Sequence, residues 1–106
     1  MTVWLASRHL GAIAWVRRAG IQIDREVAHL DPTLVCAGDT VIGTLPMHVA
    51  AEVCMRGARF FALDLHLTAD MRGRELSEEE LQGFQCTLTE YRVEAVFPGL
   101  GERDVV

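Results

Sequence analysis

An α/β fold, with a mostly parallel five-stranded sheet and helices on both faces, is predicted by three features of the 106-residue sequence. Apolar runs such as Val3-Trp4-Leu5-Ala6 lack the polar alternation of a half-exposed strand, as expected where both strand faces are covered. Segments of helical periodicity separate these runs. Glycines and an Asp-Pro pair punctuate the junctions. Such alternation implies parallel crossovers.

Residues 3–6 predict a central strand. Residues 9–19 predict a helix with Leu10, Ile13 and Val16 inward, Arg17 and Arg18 at the negative end of its dipole, and Gly20 as its stop. Residues 26–30 (EVAHL) predict a second strand, broken by Asp31-Pro32 because proline lacks a donor and restricts the residue before it. One degenerate helical turn over residues 32–35 then serves as a short crossover. Residues 39–43 (DTVIG) give a third strand. Thr44-Leu45-Pro46 opens a helix with Met47, Ala50, Ala51 and Cys54 inward, ended by Gly57. Residues 59–65 (RFFALDL) are the fourth strand. Ser77-Glu78-Glu79-Glu80 matches a capping box for a helix with Leu81, Phe84 and Leu88 inward, and the strict alternation of residues 92–97 predicts a half-exposed edge strand. No internal repeat is present. The expectation is one domain over residues 1–98 with a flexible tail over residues 99–106, strands ordered 2-1-3-4-5, in a small Rossmann-like three-layer arrangement.

Half the residues are hydrophobic and 24% are charged, with a mean hydropathy of +0.18, so the chain has apolar surface enough for a core. The formal net charge of −5 argues against duplex nucleic acid as a partner, since that binding neutralises many phosphates with a basic face. All ten positive residues are arginine, which excludes lysine nucleophiles and leaves planar forks for anion recognition. Cys36, Cys54 and Cys86 form no CxxC pair, so each is expected to be a small buried hydrophobe in a reducing cytoplasm. Arginines interrupt the first apolar stretch and no secretory leader pattern opens the chain, so no membrane association is expected.

In the predicted order the chain reverses direction between the first and third strands, and ligands bind beyond the C-terminal strand ends at such a point. Ser7-Arg8-His9 and Gly43-Thr44-Leu45-Pro46, followed by His48, border that crevice. Both segments open helices, whose free backbone N–H groups favour phosphate, sulfate or carboxylate. Arg8 offers a bidentate fork and His9 a hydrogen-bonding or acid group, while Ser7 and Thr44 can donate hydrogen bonds or simply cap their helices. His48 can equally lie on an outer helix face with Glu52 and Arg56. His29 is a neighbouring candidate that can equally be a hydrogen-bonded structural residue. Asp64, His66 and Asp70 match no metal-ligand spacing, so no metal site is expected. GxGxxG and GxxxxGK[ST] are absent, so neither a dinucleotide nor an ATP cofactor is expected.

VWLASRHLGAIAW, VAHLDP, GDTVIGTLPMHVAAEVCMRGARFFAL and RGREL resemble the small CRISPR-associated proteins of type III systems called the Csx-sixteen family, over nearly the whole of residues 3–97. The resemblance implies a dimer related to the CARF domains that sense cyclic oligoadenylates. It further implies a metal-independent ring nuclease that cleaves cyclic tetra-adenylate to linear products with 2′,3′-cyclic phosphate ends, switching antiviral signalling off. Arg8 would then stabilise the scissile phosphate, His9 would act as general acid or orienting group, and Ser7 and Thr44 would cradle phosphate oxygens. A two-fold dimer sets two copies of this group around the ring. Its doubled charge of −10 demands a locally positive crevice, with Arg8 and then Arg56 to supply it. Two alternatives stand beside this: a module that binds the ring without cutting it, and an interaction subunit presenting Trp15, Val49 and Val53 to a partner.

Overall fold

The computed structural model describes residues 1–66 and 86–96. Strand β1 (Val3–Ala6) leads into helix α1 (Leu10–Arg18), then β2 (Arg25–Val27), a 3₁₀ turn (Pro32–Leu34), β3 (Thr40–Gly43), α2 (Met47–Met55), β4 (Arg59–Leu65) and β5 (Cys86–Tyr91). The sheet order is β2-β1-β3-β4-β5, parallel except for the antiparallel β4–β5 pair. The 3₁₀ turn is the predicted short crossover. Asp31 caps it, accepting from the Thr33 N–H at 3.0 Å.

Alternation along the strands sorts the core into two layers. Trp4, Val41 and Phe60 face one side and pack with Ala50 and Val53 of α2; Leu5, Ile42 and Leu63 face the other and pack with Ala12 and Val16 of α1. The two helices therefore cover opposite faces. Their inner stripes match the predicted ones in part: Val16 and Ala50 are buried, and Ile13 and Cys54 pack against the core. Leu10 is 69% exposed and Met47 80% exposed, while Gly11, Ala12, Ala50 and Val53 are buried. Small residues let each helix approach the sheet closely. Val53, expected on a partner surface, is fully buried, and Trp15 packs partly against the α1 layer.

The fifth strand also differs. It is formed by Cys86–Tyr91, pairing residue for residue with Leu65 back to Phe60, whereas residues 92–95 carry no regular structure. Leu88, predicted on a helix, faces Leu63 across this pair. The β-branched and aromatic content of CTLTEY suits a pleated surface, and Arg59 reaches across to grip the Glu90 carboxylate at 2.8 and 3.0 Å. The helix predicted from Ser77, the RGREL stretch, Phe97 and the tail lie outside the described residues.

One polar group is built into the core. Asp39, 4% exposed, accepts from the Thr2 N–H at 2.9 Å, the Cys36 N–H at 2.9 Å and the Trp4 Nε1–H at 3.2 Å. From the sequence it reads only as the first residue of the third strand. It ties the start of β1 to the loop before β3. These donors, led by the Cys36 N–H, hold its carboxyl below the ordinary value. A lowered folded-state pKa gives stability that is present above the unfolded value, about pH 4, and is lost as pH falls toward the folded one. Asp39→Ala strands three donors and is expected to destabilise by about 3 kcal/mol at neutral pH, measured by urea denaturation. The acid limb of the stability profile below about pH 4 should flatten in that variant relative to the parent; an unchanged limb would remove Asp39 as its source.

Candidate functional site

The predicted switch point exists between β1 and β3. Ser7 N–H donates to Val27 O at 3.0 Å, joining the loop after β1 to the end of β2, and Thr44 N–H donates to Ala6 O at 3.3 Å, joining the loop after β3 to the end of β1. Ser7, Arg8, His9, Gly43 and Thr44 thus share one rim at the C-terminal strand ends, and His29 follows the end of β2 beside them. Gly43 allows the close approach: a Cβ there would stand 2.1 Å from Ala6 O. Leu45 packs against the α2 layer, and Pro46 occupies the N-cap position of α2.

The side chains take structural roles that differ from the expected ones. Ser7 does not cap α1; its Oγ accepts from the His9 N–H at 3.1 Å. The cap is His9, whose Nδ1 accepts from the Gly11 N–H at 3.1 Å. With Nδ1 an acceptor, the neutral ring carries its proton on Nε2. Thr44 does not cap α2 either; its hydroxyl donates to Leu63 O at 3.2 Å. The first turn of α2 therefore carries no side-chain cap and no acidic residue. Arg8 is exposed and makes no ion pair or hydrogen bond among the described residues. Arg56, the second candidate for the positive field, is bound to Glu52 at 2.9 Å at the far end of α2. Among the described residues the rim's positive charge falls to Arg8.

Other candidates separate. His48, exposed in the first turn of α2, opens instead toward a cavity of about 370 Å³ walled also by Glu52, Cys54, Arg92 and Glu94. His66 contacts Thr87 Oγ1 at 3.3 Å, Asp64 lies on β4, and Asp70 is outside the described residues. Among the described residues no group of three or more His, Cys, Asp or Glu gathers as a metal site. The cysteines are free, but only Cys86 is buried; Cys54 is half-buried and Cys36 is exposed, against expectation. Burial pushes the Cys86 thiol up, which makes it unreactive. No helix among the described residues is long and apolar enough to cross a membrane. On the α2 side of the rim lies an apolar cavity of about 290 Å³ lined by Thr44, Met47, Phe60, Ala62, Asp64 and Tyr91. Periodicity did not reveal it, since the position of β5 forms one of its walls.

Comparison with curated proteins finds no match, and comparison with solved structures finds none either. A family model described as "Putative CRISPR-associated protein (Cas_VVA1548)" matches residues 4–94. That span takes in the Ser7-Arg8-His9 turn and, apart from Val3, the whole of the described sheet. The chain belongs to the Cas_VVA1548 family of CRISPR-associated proteins.

Proposed function

We propose that this protein is a type III CRISPR accessory ring nuclease that binds cyclic tetra-adenylate as a homodimer and cleaves it without a metal. The observation that carries the proposal is Arg8, an exposed guanidinium without a partner among the described residues, set beside His9 on the rim where two helices begin. The substrate class is taken from the resemblance of the Ser7-Arg8-His9 and Gly43–Met47 segments to the Csx-sixteen proteins, and membership of a CRISPR-associated family is consistent with it. The chemistry is an in-line displacement. A ribose 2′-oxygen bonds to the adjacent phosphorus as the P–O5′ bond breaks; the 2′ proton leaves to solvent and the 5′-oxygen takes one up. Arg8 would hold the charge of the phosphorane, and His9, with Nδ1 engaged by Gly11, would act through Nε2–H as an orienting donor rather than a full acid. The uncapped first turn of α2 would supply backbone N–H donors to the phosphate.

Binding without cleavage is the second function the site supports. It is favoured by the engagement of Thr44 Oγ1 with Leu63 O and of His9 Nδ1 with the Gly11 N–H, which commits both groups to the fold. Purified protein incubated with cyclic tri-, tetra- and hexa-adenylate in excess EDTA separates the two. Conversion of the tetramer to linear species with cyclic phosphate ends is the expected result. Rings recovered intact but bound would establish a sponge or sensor, and rings neither bound nor cut would end both proposals.

A further inference from the structure

We propose that the apolar cavity beside Thr44 seats an adenine-type base, with the Asp64 carboxylate as the acceptor that selects its exocyclic amino group. The inference rests on the nucleotide-binding function proposed above and places the part of the ligand that the phosphate rim does not hold. Phe60, Ala62 and Asp64 are alternate residues of β4 and project to one face of the sheet, the face that α2 covers. Tyr91 stands opposite Phe60 in the antiparallel pair and projects to the same side. Met47 and Ala50 of α2 close the cavity from above. Its walls are therefore two aromatic rings, aliphatic side chains such as Leu45, Met47 and Val93, Thr44 and one acid.

Each wall has a use for a base. Phe60 is buried and fixed, whereas Tyr91 is 50% exposed and offers a ring against which a flat heterocycle stacks. At about 290 Å³ the cavity sits at the lower end of ligand pockets, roughly 300–1,000 Å³, which suits a base better than a whole nucleotide. Asp64 makes no hydrogen bond or ion pair among the described residues, so its acceptor capacity is unspent there. An ionised carboxylate only accepts. It pairs with the amino hydrogens at position 6 of adenine and repels the carbonyl oxygen that hypoxanthine carries at the same place. Thr44 joins the two subsites, since it lines the cavity while its backbone is tied to the β1 end of the rim.

The test compares binding of cyclic tetra-adenylate and cyclic tetra-inosinate to the parent protein, Asp64→Asn, Tyr91→Ala and Arg8→Ala. The parent should prefer the adenylate ring by about tenfold or more. Asp64→Asn, whose amide can donate to the inosine carbonyl as well as accept from adenine, should narrow that preference by about tenfold with an unchanged melting temperature. Tyr91→Ala and Arg8→Ala should each weaken both rings without moving the ratio. Adenylate binding by the parent with the same ratio in Asp64→Asn would overturn the base seat and leave the nucleotide function standing. Failure of the parent to bind either ring would overturn both.

Discussion

Arg8→Ala is expected to fold like the parent protein and to bind cyclic tetra-adenylate about 10- to 100-fold more weakly, with cleavage falling at least as far. The size follows from losing one charge-assisted contact to phosphate, about 1.5–3 kcal/mol. Stability should not move, because Arg8 is exposed and makes no bond among the described residues. Phosphate binding by a protein with a formal charge of −5 concentrates the electrostatic demand on few groups, and Arg56 is already held by Glu52. Arg8→Lys keeps the charge but loses the planar fork, so it should lie between the parent and Arg8→Ala. Binding measured by calorimetry, with melting temperatures on the same samples, decides the matter. Full binding and turnover in Arg8→Ala would remove this residue from the site.

The topology was legible because its signals were local. Val3–Ala6 reads as a buried strand from an unbroken apolar run, DTVIG reads as a third strand, and Asp31-Pro32 marks the crossover that fixes the order at the switch point. The reversal between β1 and β3 then places Ser7-Arg8-His9 and Thr44 on one rim from the strand order alone. What failed depended on contacts between distant residues. Val16 and Ala50 are buried as their spacing predicts, but Leu10 and Met47 satisfy the same spacing and stay exposed, while Ala12 and Val53 are buried in their place. The edge strand was misplaced because residues 92–97 alternate more strictly than Cys86–Tyr91. The pairing with β4 and the Arg59–Glu90 bridge decide in favour of the latter.

The site shows the same division. Ser7 and Thr44 looked like helix caps because hydroxyls before helices usually are. His9 takes that role at α1, and Thr44 turns away to a carbonyl on β4, a partner 19 residues distant that no local pattern announces. Asp39 was missed for a similar reason. Its donors come from Thr2, Trp4 and Cys36, which meet only once β1 and β3 are paired.

Gly43→Ala is expected to be the most destabilising single methyl addition at this rim, lowering the unfolding free energy by about 4 kcal/mol. Two penalties coincide there. The backbone holds φ at +153°, which L side chains rarely adopt, and the new Cβ would lie 2.1 Å from Ala6 O and 2.9 Å from Ala6 C. The clashing atoms are backbone, so no side chain can swing aside; β1 and β3 must separate where Ala6 pairs with Gly43. That separation also breaks the Thr44 N–H bond to Ala6 O, which positions the second half of the rim. Gly20→Ala provides the internal control, because φ is +76° there but nothing lies within 4 Å of the added methyl, leaving only a backbone penalty of about 1 kcal/mol. Urea midpoints of the two variants should differ accordingly, and any Gly43→Ala protein that remains folded should lose ring binding as well. If both variants unfold at the same urea concentration, β1 and β3 do not approach as closely at the switch point as this geometry requires.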